Sequence, residues 1–173
     1  MTAQTLRDRL KEGDRRVVGA AGSVADLVRR DPDLVAELIG LLDDEDAAVV
    51  SHTCNAMMQI AQDRPALFDP FADALLDRLE KLRQWEIGEQ LPKILVRVSL
   101  SDRQVAMLYD ILSSNIRNRS NIVAACALQG IVDLARDGRV ERARAQSALD
   151  AALHSERKAL SARARRLQKQ LSP

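Results

Sequence analysis

Aromatic residues are almost missing from this chain: its 173 residues include Phe68, Phe71, Trp85 and Tyr109 and no other ring of that kind. The scarcity weighs against chemistry that holds an extruded base between aromatic surfaces. Glycine and proline are also few, at seven and five, which suits helices packed through small and branched residues. No stretch approaches the roughly 18 apolar residues needed to cross a bilayer. Met1 to Leu10 carries Arg7, Asp8 and Arg9 where an export signal needs an apolar run, so no secretory signal is expected. Two histidines and two cysteines lie on three different segments without ligand spacing, so no metal is expected, and no cofactor either. A Gly-rich phosphate loop is missing too. The net charge of +1 argues against a globally polyanion-binding protein.

What is present is a repeated helical stripe. In Ala47 to Asp63, AAVVSHTCNAMMQIAQD, the residues Val49, Thr53, Ala56 and Ile60 fall on one side of a helix. The same stripe recurs as Val17, Ala21, Val24 and Val28, then as Ile87, Leu91, Ile94 and Val98. It returns as Val123, Ala127, Gly130 and Leu134, and finally as Leu160, Ala164, Leu167 and Leu171. The lead residues are separated by 32, 38, 36 and 37 positions, a helical repeat of solenoid length. Cys54 and Cys126 lie two repeats apart. With helices about 8–10 Å apart, they are too distant for a disulfide, and a reduced, cytoplasmic protein is the expectation.

Each unit should hold an outer helix, a turn and the striped inner helix. The outer helix of the first is Thr2 to Lys11, with a turn at Glu12-Gly13-Asp14 leading into Arg15 to Arg30. Asp31-Pro32 is a start signal, Asp as cap and Pro at the first helical position. It opens Asp33 to Leu42, with Leu34, Leu38 and Leu41 predicted on the buried side. Asp69-Pro70 repeats the signal for Phe71 to Leu82, with Phe71, Leu75, Leu79 and Leu82 at helical spacing. The partner helix, Gln84 to Ser99, contains Pro92, which predicts a kink, or alternatively a break at Leu91. The residue four back is Gly88, which adds no side chain to the crowding. Ser101 and Gln104 form a capping box for Asp102 to Ser113. Asn115 to Ser120 is a polar turn, Asn121 to Arg136 the fourth inner helix, and Asp137-Gly138 its end. Arg139 to Leu153 and Glu156 to Leu171 form the last pair. The expected fold is therefore all-α: one α-α superhelix, or solenoid, of about five hairpins spanning 2–30, 31–63, 69–99, 101–137 and 139–171.

The unit Leu34 to Asp63, LVAELIGLLDDEDAAVVSHTCNAMMQIAQD, resembles a HEAT repeat, and the resemblance extends over essentially the whole chain. It implies a right-handed curved stack, with inner helices lining a concave surface that binds a protein or peptide. The Arg that usually follows the inner-helix Val is replaced here by Val18, Val50, Gly88, Ala124 or Ser161.

Candidate site residues follow from the stripe. Positions 3, 6 and 10 beyond each lead should face outward: His52, Asn55 and Gln59; Gln90, Lys93 and Arg97; Cys126, Gln129 and Asp133; Arg163, Arg166 and Gln170. The partner-binding row is read as His52, Asn55, Gln59, Gln90, Lys93, Arg97 and Gln129, whose amides, imidazole and cations can hydrogen-bond a peptide. The competing reading is a solvated polar face. The acidic turn Asp43 to Asp46 is read as serving the helix dipole behind it. From Arg139 onward nine Lys or Arg stand against three Asp or Glu. Arg163, Arg165, Arg166 and Lys169 are thus phosphate-binding candidates, against the alternative of a polar terminal cap.

Catalysis finds little footing. His52 and Cys54, two apart on one helix, do not face each other, and His154, Ser155 and Glu156 lack a flanking motif. HEAT-like alkylpurine DNA glycosylases share this architecture, and Trp85-Glu86 and Tyr109-Asp110 are the residues such chemistry would use here, together with Asp133. The reading that ranks first is a non-enzymatic, protein- or peptide-binding scaffold. Nucleic-acid binding through the C-terminal basic helix comes second and the glycosylase third.

Overall fold

The computed structural model describes residues 5–12 and 19–171. Those residues form ten α-helices joined by turns and three 3-10 segments, with no strand among them. The helices are α1 (Leu6–Leu10), α2 (Ala21–Arg30), α3 (Val35–Gly40), α4 (Ala47–Asp63), α5 (Ala72–Lys81), α6 (Trp85–Leu95), α7 (Asp102–Asn115), α8 (Asn121–Arg136), α9 (Arg142–Leu153) and α10 (Lys158–Leu171). Packing divides the chain into two compact units, Met1–Ser99 and Leu100–Pro173.

In the first unit α2, α4 and α6 lie side by side with α4 in the middle. α1 rests on α2 and α4, while α5 covers α6. Stripe residues build this core: Ala21, Val24, Val28, Val49, Thr53, Ala56, Ile60, Ile87, Leu91, Ile94 and Val98 are all buried. Val17, the first lead residue, lies outside the described residues. In the second unit α8 is central, flanked by α7, α9 and α10, and α10 also packs on α9. Its stripes, from Val123 to Leu134 and from Leu160 to Leu171, are buried in the same way.

Helix starts moved where glycine or proline intervenes. α2 runs from Ala21, with Gly19 at φ +52° and Ala20 still in a turn, while the expected turn at Gly13–Asp14 and helix start at Arg15 lie outside the described residues. A Cβ at Gly19 would sit 2.9 Å from the Glu12 carbonyl oxygen and 3.1 Å from His52 Cε1, so only glycine fits. At the first Asp-Pro signal Asp31 makes no side-chain cap. Pro32–Leu34 forms a 3-10 turn, α3 follows, and Leu41–Asp43 tightens again. With three rather than 3.6 residues per turn the register slips, burying Val35, Leu38, Ile39 and Leu42 and leaving Leu34 and Leu41 half-buried. The second signal behaves alike: Pro70 falls inside a 3-10 segment, Pro65–Phe71, and α5 starts at Ala72. The Asp69 carboxylate instead accepts the N–H of Ser99 at 3.0 Å.

α6 runs unbroken through Pro92, with Gly88 in the position where a side chain would add to the crowding. It ends at Leu95, not Ser99; Arg97 and Val98 donate to carbonyls three residues back, and this tighter winding keeps Val98 buried. The Ser101–Gln104 capping box is formed, and α8 has the expected bounds. α9 and α10 start three and two residues later than expected.

The acidic turn does more than face a helix dipole. Arg7 grips Asp44 with two hydrogen bonds of 2.6 and 3.0 Å, and Arg78 donates to Asp43 at 2.6 Å. Asp46 caps α4 through the N–H of Ala48. Arginines from α1 and α5 thus reach the turn.

Candidate partner-binding groove

α4 presents different residues to its two neighbours, and this splits the row predicted along it. His52 is 0% exposed. Its Nδ1 lies 2.6 Å from the Leu10 carbonyl oxygen, so Nδ1 bears the hydrogen and donates it. The placement corrects the expectation of an outward His52: α1 covers this part of α4, and the imidazole fastens the two together. Gln59 is half-buried on the side toward α2, and its backbone carbonyl accepts from Arg29 of α2 at 2.6 Å. A Cβ at Gly22 would stand 3.5 Å from its Oε1. Cys126, expected to face outward on α8, is buried as well.

Asn55, rotated about 60° from His52 on a helix of 3.6 residues per turn, looks toward α6. There the facing turns of the two helices leave a groove of about 530 Å³, lined by Ser51, Cys54 and Asn55 on one side and Trp85, Glu86, Glu89 and Gln90 on the other. Its size lies within the ~300–1,000 Å³ of ordinary ligand pockets. Trp85 opens α6 and is 42% exposed. Glu86 is 3% exposed and forms part of the floor, whereas Glu89 is half-buried. Beside them the Cys54 thiol is pushed well above its ordinary range, first by burial and then by the negative charge of Glu86 and Glu89. It meets the groove as a protonated thiol.

Two predicted row residues, Asn55 and Gln90, therefore meet in one groove. Lys93 adjoins it, with Nζ 3.4 Å from Gln90 Oε1 and 3.6 Å from a Glu89 carboxylate oxygen. Arg97 is exposed past the end of α6. Ser51, Cys54, Glu86 and Glu89 were not on the row. Helical arithmetic could have found Ser51 and Glu86, since 51 and 55 are one turn apart on α4, as are 86 and 90 on α6.

In the second unit Gln129 is engaged. Its Nε2 donates to Asp133 at 2.9 Å and to Gln170 at 3.4 Å, and its Oε1 accepts from Arg163 at 3.3 Å. One partner-row residue and one phosphate candidate thus form a single polar link between α8 and α10. Arg157, which the basic count includes, staples a loop instead: it donates to Asn121 Oδ1 at 2.6 and 2.9 Å and to the Asn118 carbonyl at 2.8 Å. Lys158, Arg165, Arg166 and Lys169 are exposed. Tyr109 lies under the Arg144 guanidinium, 5.0 Å from ring centre to carbon, in a smaller groove of about 260 Å³ shared with Asp102 and Arg139. Asp133 does not line that groove; it accepts from Gln129 and Arg136.

Among the described residues no group of three or more His, Cys, Asp or Glu is placed to hold a metal ion, and no helix is long and apolar enough to cross a membrane. No protein-family model and no curated protein matches the chain. Among solved structures it is similar to the crystal structure of an engineered protein from the Northeast Structural Genomics Consortium. The two are 17% identical with a TM-score of 0.58, over 94% of this chain and 76% of that one. At that identity the likeness is one of all-helical fold, so function has to be argued from the groove.

Proposed function

We propose that the chain is a non-enzymatic binding module for a protein or peptide, a HEAT-like solenoid of helical hairpins that uses its inner helices. The observation that carries this reading is the groove between α4 and α6, where Asn55 and Gln90 offer amide groups beside the exposed Trp85. Paired amide donors and acceptors suit an extended peptide backbone, and exposed tryptophan is a favoured anchor at interfaces. The buried stripes of α2, α4 and α6 and the HEAT-like unit Leu34 to Asp63 support the solenoid part. A cytoplasmic location belongs to the same reading, supported by the two buried thiols.

A second reading, nucleic-acid binding through α10, is favoured by its exposed Lys158, Arg165, Arg166 and Lys169. The glycosylase reading keeps only Trp85 and Glu86 together in the groove. A photo-crosslinking residue in place of Gln90, compared with one in place of Arg165, separates the first two readings. In native lysate, protein adducts from position 90 that survive nuclease treatment are expected. Adducts from position 165 alone, lost on nuclease treatment, would overturn the peptide-binding reading.

A further inference from the structure

We infer that the groove between α4 and α6 receives an arginine side chain of the partner peptide, stacked on the Trp85 indole and charge-matched by Glu86 and Glu89. This rests on the peptide-binding reading and specifies what that site selects. Trp85 and Ile122 are the large apolar side chains exposed among the described residues, and Trp85 lies in a groove with the carboxylates of Glu86 and Glu89. A planar guanidinium stacks on an indole face and hydrogen-bonds carboxylates through a rigid fork, which an ammonium does not.

The electrostatics favour the same occupant. The first unit, residues 1–99, has thirteen Lys or Arg against eighteen Asp or Glu, a net of −5. Within it Glu86 sits almost fully out of water at the groove floor, where a nearby opposite charge acts more strongly than in solvent. Glu89, on the next turn, is held by Lys93 at only 3.6 Å, longer than a hydrogen bond, so its carboxylate retains acceptor capacity. An anionic or purely apolar ligand would meet both carboxylates at a cost. The groove exceeds the bulk of one side chain and leaves Asn55 and Gln90 for the flanking peptide backbone.

Trp85 is the one tryptophan in the chain, so its emission reports the site directly. The probes are blocked glycine-serine octapeptides carrying two arginines, two lysines, two glutamines or two glutamates. The arginine peptide is expected to shift Trp85 emission and bind at least about tenfold tighter than the glutamine peptide. Glu89→Gln should weaken it about fivefold while the melting temperature holds. Should that variant lose stability, the wild type in rising salt gives the same reading, since the arginine peptide must lose affinity and the glutamine peptide must not. Equal binding of glutamine and arginine peptides, or preference for glutamate, would overturn the charge match. Equal binding of lysine and arginine would overturn the guanidinium assignment. Emission unmoved by every peptide would overturn the inference altogether, while nuclease-resistant adducts from position 90 would still stand for peptide binding.

Discussion

His52 joins α1 to α4 through one buried hydrogen bond to the Leu10 carbonyl, and its ring fills the space beside Gly19. His52→Ala removes the ring and strands the carbonyl, which together should cost about 2–4 kcal/mol. Asn55→Ala, at a half-buried groove position, should stay within about 1 kcal/mol. Urea midpoints distinguish the two, and equal effects would mean the imidazole is not a structural tie. Charge acts at this scale as well. Hydrogen bonds from Arg7 and Arg29 hold the carboxyls of Asp44 and Asp63 below the usual carboxylate range. A carboxyl whose folded pKa is depressed stabilises the fold above its unfolded value near ~4 and loses that contribution as pH falls. The melting temperature should therefore hold from about pH 7 to 5 and decline below about 4. Asp44→Asn should lower it at neutral pH and flatten the acid decline; thermal melts from pH 3 to 7 check both.

Helix capping sets the predictions at the scale of elements. Ser101→Ala breaks a formed capping box and should cost about 1 kcal/mol. Asp31→Ala removes a side chain that caps nothing and should cost less than about 0.5 kcal/mol. Chemical denaturation of both variants decides, and a larger loss at Asp31 would restore the Asp-Pro start signal. The sequence made the striped helices legible because each stripe repeats every 3.6 residues over three or more turns, as at Val49, Thr53, Ala56 and Ile60. The helices between them were less so. α3 is six residues long between two 3-10 turns, and so short a stretch carries too little periodicity to fix which of Leu34 and Val35 is buried. The groove was half legible: Asn55 and Gln90 came from the outward row, but the row treated every inner helix alike. His52 and Gln59 face α1 and α2, a distinction set by which neighbour covers each side of α4 and therefore invisible within one helix.

At the scale of the whole molecule the charge is divided, −5 over residues 1–99 and +6 over residues 100–173, where thirteen Lys or Arg face seven Asp or Glu. Duplex binding through α10 would engage at most the exposed Lys158, Arg165, Arg166 and Lys169, because Arg157 and Arg163 are already hydrogen-bonded. Those four point in more than one direction, so log affinity against log salt should have a slope no steeper than about −2 to −3. A fluorescence titration of a short duplex, repeated with Arg165→Glu and Arg166→Glu together, measures it. A steeper slope would require phosphate contacts beyond α10. Peptide binding in the α4–α6 groove is the central claim, and its most direct test is backbone hydrogen exchange, with and without the protein recovered through the crosslink at position 90. The account predicts slowed exchange over residues 51–59 and 85–93. Slowing confined to 158–169, or no slowing in either stretch, would contradict it.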